Sequence, residues 1–217
     1  MGPMTELETR TAALRGRLCR EMNGAVVEAM ERAGVTGPLN YGVSVPTIRA
    51  IAAETGRDHA FARHLYRQPL RELRMAAVTI ADPAAVTPGE LAFWLTDEPS
   101  VELLDELALK LLARTSDATA ACILTDWLTA PEFRACYAAL KTAVPLLRAG
   151  RVTAGVRDAM PGRVAAGLER FGNDLSVARA AVPLCMELGG PMSRWEALLP
   201  DTVAGRFVCD ELRFWLA

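Results

Sequence analysis

Antiparallel helix pairs in a single all-α domain are what this sequence predicts, and three observations carry the prediction. Alanine and leucine dominate while aromatics make up only 6%, a composition that favours helix. Helix start and stop signals recur with apolar residues at helical spacing between them, and no run of alternating β-branched residues intervenes. A helix ending in an aromatic, then a short proline-bearing turn, then a second helix occurs three times: Leu65-Tyr66 to Pro69, Phe93-Trp94 to Pro99, and Asp126-Trp127 to Pro131. A chain of 217 residues then has room for about ten to twelve helices and a real core.

The elements follow in order. Residues 1–40 are expected to form N-terminal capping helices that stop at Gly34. Residues 41–190 are expected to hold the repeats. Ile48, Ile51, Ala52 and Thr55 fall on one stripe. Thr87-Pro88-Gly89-Glu90 supplies a capping residue, proline at the first helical position and glutamate at N3. Leu103, Leu107, Lys110 and Leu111 step along one helical face, with Leu104, Ala108 and Leu112 beside them. Thr129-Ala130-Pro131-Glu132 repeats the start signal. Gly150 and the pair Gly189-Gly190 are stops, and Gly150 to Gly162, which includes Pro161, reads as an inter-helix connection. Ser193 with Glu196 makes a third capping box. Residues 191–217 are expected to cap the last apolar face with Trp195, Phe207, Phe214 and Trp215, the other possibility being a partner site. The repeated aromatics lie 28 and 33 residues apart. Helix pairs at that period are the mark of a HEAT-like α-solenoid, in which neighbours share the core that no pair can build alone. Tyr66, Trp94 and Trp127 are then core anchors at the helix turns.

Charge and special residues narrow the function classes. The net charge is −2, which argues against a strongly electrostatic nucleic-acid binder. Residues 76–130 carry 2 basic and 9 acidic side chains, a local balance of −7, between two mildly positive flanks. No apolar stretch reaches the roughly 18 to 20 residues of a membrane span, and the polar, acidic N-terminus shows no signal peptide. The expected location is cytoplasmic. The five cysteines are widely spaced without a CxxC, so buried, reduced thiols are expected. His59 and His64, five residues apart, do not share a helical face, and no metal site or cofactor is expected.

Two segments resemble a known family. GVSVPTIRAIA followed by FARHLYRQPLRELRMAA resembles the N-terminal repeat of the DNA alkylation repair family, the AlkD-like glycosylases. The residues that carry the likeness are Gly42, Val43, Pro46, Arg49, Ile51, Ala52, Leu65, Tyr66, Glu72 and Arg74. Ser100 to Ala108 resembles that family's Asn-Trp-Asp-x-x-Asp-x-x-Ala stretch, and Asn173 to Gly189 resembles a later helix. The resemblance implies a C-shaped solenoid whose concave face holds duplex DNA bearing an alkylated, cationic purine. It implies an aspartate that stabilises positive charge on the sugar as the base leaves, aromatics against the sugar, and an arginine on phosphate.

Position by position, Asp105 falls on the family's aspartate. Val101 and Pro183 fall where the two tryptophans would be. Cys136 falls roughly on the arginine, with Arg134 two residues away as a substitute. Arg134, Lys141 and Arg148 recur at seven-residue steps and share one helical face, which suits a phosphate-contacting stripe or simply a solvated face. For Asp105 the alternatives are a catalytic carboxylate, a solvated acid, or a cap on a neighbouring repeat's helix. Arg63, Arg67, Arg71 and Arg74 crowd one turn, where they suit phosphate or the acidic central block. Two functions stay open. One is a divergent DNA-alkylation-repair protein that binds duplex DNA with weak or absent glycosylase activity. The other is a non-catalytic scaffold for a protein partner on the concave face. The sign of charge on that face separates them.

Overall fold

Twelve α-helices, with 3-10 and π-helical turns between them, are present among the described residues, and no strand is. The computed structural model describes residues 5–32, 39–96 and 99–216; Gly34, the expected first stop, lies outside them. One isolated parallel bridge pairs Leu39 with Leu70. Among the described residues no helix is long and apolar enough to cross a membrane. The chain divides into two compact units, Met1–Ala85 with Ser100–Glu106, and Val86–Pro99 with Leu107–Ala217.

In the first unit, Thr5 opens α1 (Glu6–Cys19) with a reciprocal capping box: its hydroxyl accepts from the Glu8 amide, and the Glu8 carboxylate accepts from the Thr5 amide at 2.7 Å. That box satisfies two of the amides a helix start leaves bare. After α2 (Gly24–Arg32) the chain turns through Gly42, whose φ of +71° suits glycine. Ser44 caps α3 (Val45–Ala53), and Pro46 sits in its first turn. The expected stripe is partly realised. Ile48 and Ala52 are fully buried, Ile51 is half-buried, and Thr55 lies beyond the helix end.

Asp58 caps α4 (His59–Tyr66) by accepting from the Phe61 amide at 2.9 Å. Phe61, Leu65 and Tyr66 are buried beneath it. Burial of side chains of this size stabilises by about 1.5–3 kcal/mol each. The turn through Pro69 leads into α5 (Arg71–Ile80), which packs on α3 and α4 and buries nearly its whole surface, Glu72 and Arg74 included. The unit closes with the six-residue α6 (Val101–Glu106), which packs on α5.

The second unit departs more from regular helix. Thr87 does precede a helical segment, but Pro88–Leu95 is a 3-10 helix and the Thr87 side chain makes no cap bond. The apolar run after α6 continues as a π turn, Leu107–Leu111, and a 3-10 turn, Leu112–Arg114, rather than as the expected regular helix. Ser116 caps α7 (Asp117–Cys122), which runs into a second π turn, Ile123–Trp127. Thr129 does not start the next helix. Its hydroxyl donates back to the Thr125 carbonyl, and α8 (Phe133–Arg148) begins after Glu132. The expected connection at 150–162 is also corrected: α9 (Ala154–Arg170) already includes Pro161 and Gly162. Then follow α10 (Leu175–Leu188), α11 (Met192–Leu198) and α12 (Val203–Leu216). Pro191, not Ser193, precedes α11. Gly150 and Gly189 do end helices, with φ of +65° and +67°.

The core of this unit is α10 packed against α8 and α12, with α8 also seated on both π turns. Proline interrupts three of its helices, at Pro145, Pro161 and Pro183. Each removes an amide and leaves the carbonyl four residues earlier without its helical donor. The aromatic-proline junctions fall between helical segments as expected. Trp94 is fully buried like Tyr66, while Trp127 is half-buried and Leu128 fills the core beside it. At the C-terminus Trp195 is buried and donates from Nε1 to the Gly189 carbonyl, but Phe214 and Trp215 are 75% and 59% exposed. Half of the expected aromatic cap therefore faces solvent. The thiols also differ from expectation. All five are unbridged, but Cys136 and Cys185 alone are buried, and Cys19 is exposed.

Candidate active site and phosphate-binding helix

Asp105 sits on α6, a helix too short to be stable alone. What fixes it is a pair of arginine forks. Glu102 and Glu106, one turn apart, share a face. Arg71 of α5 donates Nε and Nη2 to the two Glu102 oxygens, at 2.8 and 2.5 Å. Arg49 of α3 donates Nε to Glu106 at 2.9 Å, and its Nη2 contacts the other Glu106 oxygen. Bidentate pairs of this kind fix direction as well as distance. Leu103 and Leu104 bury the adjoining face. Asp105 lies about 100° around the axis from Glu106 and is partly exposed. Val101 precedes it by one turn and is 40% exposed.

The Arg71 fork has a second anchor. Its Nη1 donates to Glu72 at 2.9 Å and to the Val43 carbonyl at 3.0 Å. The Glu72 carboxylate, 0% exposed, also accepts from the Tyr41 and Val43 amides at 3.1 and 3.3 Å. A buried carboxylate is tolerable only when so fully satisfied. Burial works against the Arg71 charge, and the carboxylates of Glu102 and Glu72 outweigh it, so its pKa lies above the ordinary arginine value. Hydrogen bonding to Glu106 likewise raises that of Arg49 against a smaller desolvation.

These contacts revise the electrostatics expected from the sequence. Four acids of the 76–130 block face arginines from outside it: Asp82 with Arg57, Glu102 with Arg71, Glu106 with Arg49, and Asp117 with Arg151. Asp97 and Glu98 lie outside the described residues. The local balance of −7 is thus largely a property of linear counting. Arg71 fulfils the expectation that the crowded arginines meet the acidic block.

In the second unit, α8 carries Arg134, Lys141 and Arg148 along one side. Arg134 and Lys141 are half-buried and Arg148 is exposed. The Lys141 ammonium stands 5.9 Å from the Tyr137 ring centroid, and Tyr137 stacks on Phe133 at 5.6 Å. Arg148 donates Nε to Glu187 of α10 at 2.7 Å. Cys136 points inward, with its thiol donating to the Leu128 carbonyl, and burial pushes its pKa up to about 11. Position 136 of this chain therefore offers no ligand contact, whereas Arg134 keeps a surface. α9 holds the second π turn from behind, with Arg163 on the Leu124 carbonyl at 3.1 Å and Arg170 on the carbonyls of Thr129 and Ala130.

Sequence reasoning missed the forks, although their signals were present. Arg49 and Glu72 belong to the recognised pattern, and Glu102 and Glu106 have the i, i+4 spacing of a shared face. The π turns had no signal in the apolar periodicity. Among the described residues, no three His, Cys, Asp or Glu side chains gather as a metal ion would require.

The family described as DNA alkylation repair enzyme matches residues 15–154. The match spans both signature segments, the forks, Asp105 and the whole of α8, and it ends before Pro183. No curated protein and no solved structure matches the chain. With nearly two thirds of its length matched, and with the matched segments tied to each other by Arg49 and Arg71, the chain belongs to the DNA alkylation repair enzyme family.

Proposed function

We propose that this protein binds duplex DNA bearing alkylated, cationic purines and releases the damaged base slowly, with Asp105 stabilising the positive charge that develops on the sugar. The observation that carries the reading is Asp105 itself: it falls where the family resemblance implies an aspartate, and it sits on a helix held by two bidentate forks. A carboxylate held in advance stabilises a developing cation without reorganising. The leaving group is already positively charged, so the reaction asks little of acid catalysis. Arg134, Lys141 and Arg148 would contact phosphate, and the helix pairs within each unit would be HEAT-like repeats. Slow release follows from Val101, a side chain with no flat ring to lay against a deoxyribose, and from Pro183 in α10.

A second reading, a protein-interaction scaffold, is favoured by one contact: Arg148, the most exposed cation of the α8 row, is paired with Glu187. A salt series separates the two. Anisotropy of a labelled methylated duplex between about 50 and 200 mM salt should give a log–log slope near −2.7 for three phosphate contacts, at about −0.9 each. Arg134→Ala should make the slope shallower by about 0.9. Duplex binding that is undetectable at the lowest salt would leave the scaffold.

A further inference from the structure

We infer that Arg49 and Arg71 are positioning residues for Asp105, acting through α6; the inference rests on the reading of Asp105 as the cation-stabilising group. The two arginines come from the first signature segment and the two glutamates from the second, so the forks physically couple the segments that identify the chain.

The geometry is specific. Helix α6 is six residues long, and directly after Glu106 the chain leaves α-helical geometry for the π turn at Leu107. Neither a long helix nor a regular continuation holds the direction of residues 101–106. The restraint comes from the side. Glu102 and Glu106 are pinned one turn apart, which fixes rotation about the axis as well as translation along it. Buried Leu103 and Leu104 seat the adjoining face, and the two forks set the angle of the face that carries the glutamates. Asp105 lies between the pinned acids in sequence, so the forks set the position of the backbone that carries it. The Arg71 anchor is itself tied down. Arg71 is tied to Glu72 and the Val43 carbonyl, and Glu72 holds the Tyr41 and Val43 amides. Arg49 stands on α3 beside the fully buried Ile48.

The choice of arginine is also meaningful. A lysine would keep the charge and lose the two-point contact that sets the angle. Ion pairs that serve stability alone would lose local stability on that exchange without slowing base release, whereas pairs that aim a carboxylate would lose both.

The test uses the full chain with Arg49→Lys, Glu106→Gln and the exchange Arg49→Glu with Glu106→Arg. Amide hydrogen exchange is read first. Amides of residues 103–108 should exchange at least about tenfold faster in Arg49→Lys, while those of α4 and α5 stay unchanged. Base release from a methylated duplex is read in parallel under single turnover. The rate constant should fall about tenfold in Arg49→Lys, with DNA affinity changed less than twofold, and the charge exchange should recover a substantial part of it. Arg49→Lys combined with Asp105→Asn should be no slower than Asp105→Asn alone. Unaltered exchange at 103–108, or faster exchange throughout the first unit, overturns the positioning role. So does an additive loss in the double variant. If the wild type releases no base, the reading of Asp105 fails, and the exchange data still decide whether the forks hold α6.

Discussion

Replacing Arg71 by methionine keeps most of the side chain's length and removes its charge and all its donors. The guanidinium is 12% exposed and donates to Glu102 twice, to Glu72 and to the Val43 carbonyl. Glu102 is 39% exposed and can turn to water, so its share of the loss is small, about 1 kcal/mol or less. Glu72 cannot turn away. It is 0% exposed and would keep a carboxylate with only two backbone amides for company. Removing one partner of such a buried pair costs about 3–5 kcal/mol. Against a total stability of about 5–15 kcal/mol, that is a large fraction. For a chain of this size it lowers the melting temperature by roughly 6–20 °C. Urea unfolding followed by circular dichroism reads the change as a shift in midpoint at constant slope. Glu102→Gln is the control and should cost about 1 kcal/mol. Glu72→Gln added to Arg71→Met should recover part of the loss, since no buried charge then lacks its partner. If Arg71→Met falls within about 1 kcal/mol of wild type, the buried cluster is not what holds the 40–44 turn, and the reasoning fails.

Other expectations follow from single contacts. Gly42→Ala would bring a Cβ to 2.3 Å from the Asn23 carbonyl at a positive φ, and should destabilise by about 2 kcal/mol or more in the same urea assay. Asp58 has a pKa held below the ordinary 3.8, first by the Phe61 amide and then by Arg10. Its stabilisation is present above that ordinary value and is lost as pH falls through the lower folded one, so Asp58→Asn should flatten part of the acid limb of a stability–pH profile below 3.8. Burial pushes the Cys185 thiol up to about 12 and that of Cys136 to about 11. In the native protein near pH 8 a thiol reagent should label Cys19 within minutes and spare those two, and urea should expose both.

How much of this was legible in the sequence depends on how local the cause is. The stops at Gly150 and Gly189 were legible because a positive φ is decided by the residue itself. The start signal at Thr129 failed because α8 begins only after Glu132, and the Thr129 hydroxyl belongs to the preceding turn, bonded to the Thr125 carbonyl. The signal at Ser193 failed because Pro191 already opens that helix. The π turns were hidden because Leu107–Leu111 and Ile123–Trp127 place apolar residues at spacings that α-helix also allows. Packing of α8 on both turns, and the Arg163 contact to the Leu124 carbonyl, are tertiary facts. Asp105 was legible as a position in a motif. Its setting was not, because Arg49 and Arg71 lie 57 and 31 residues from the glutamates they hold. For the same reason the acidic block looked more hostile to DNA than its ion pairs leave it.

Everything proposed for catalysis turns on Asp105, aimed by these forks, stabilising a sugar cation. Single-turnover release of methylated purine from an alkylated duplex, compared between wild type and Asp105→Asn at equal DNA occupancy, tests it most directly. The wild type should release base measurably, with a rate constant lower by about 10²–10³ in the variant, the usual cost of losing one preorganised electrostatic stabiliser. Equal rates in the two proteins, or no release by the wild type on a duplex it demonstrably binds, would contradict it.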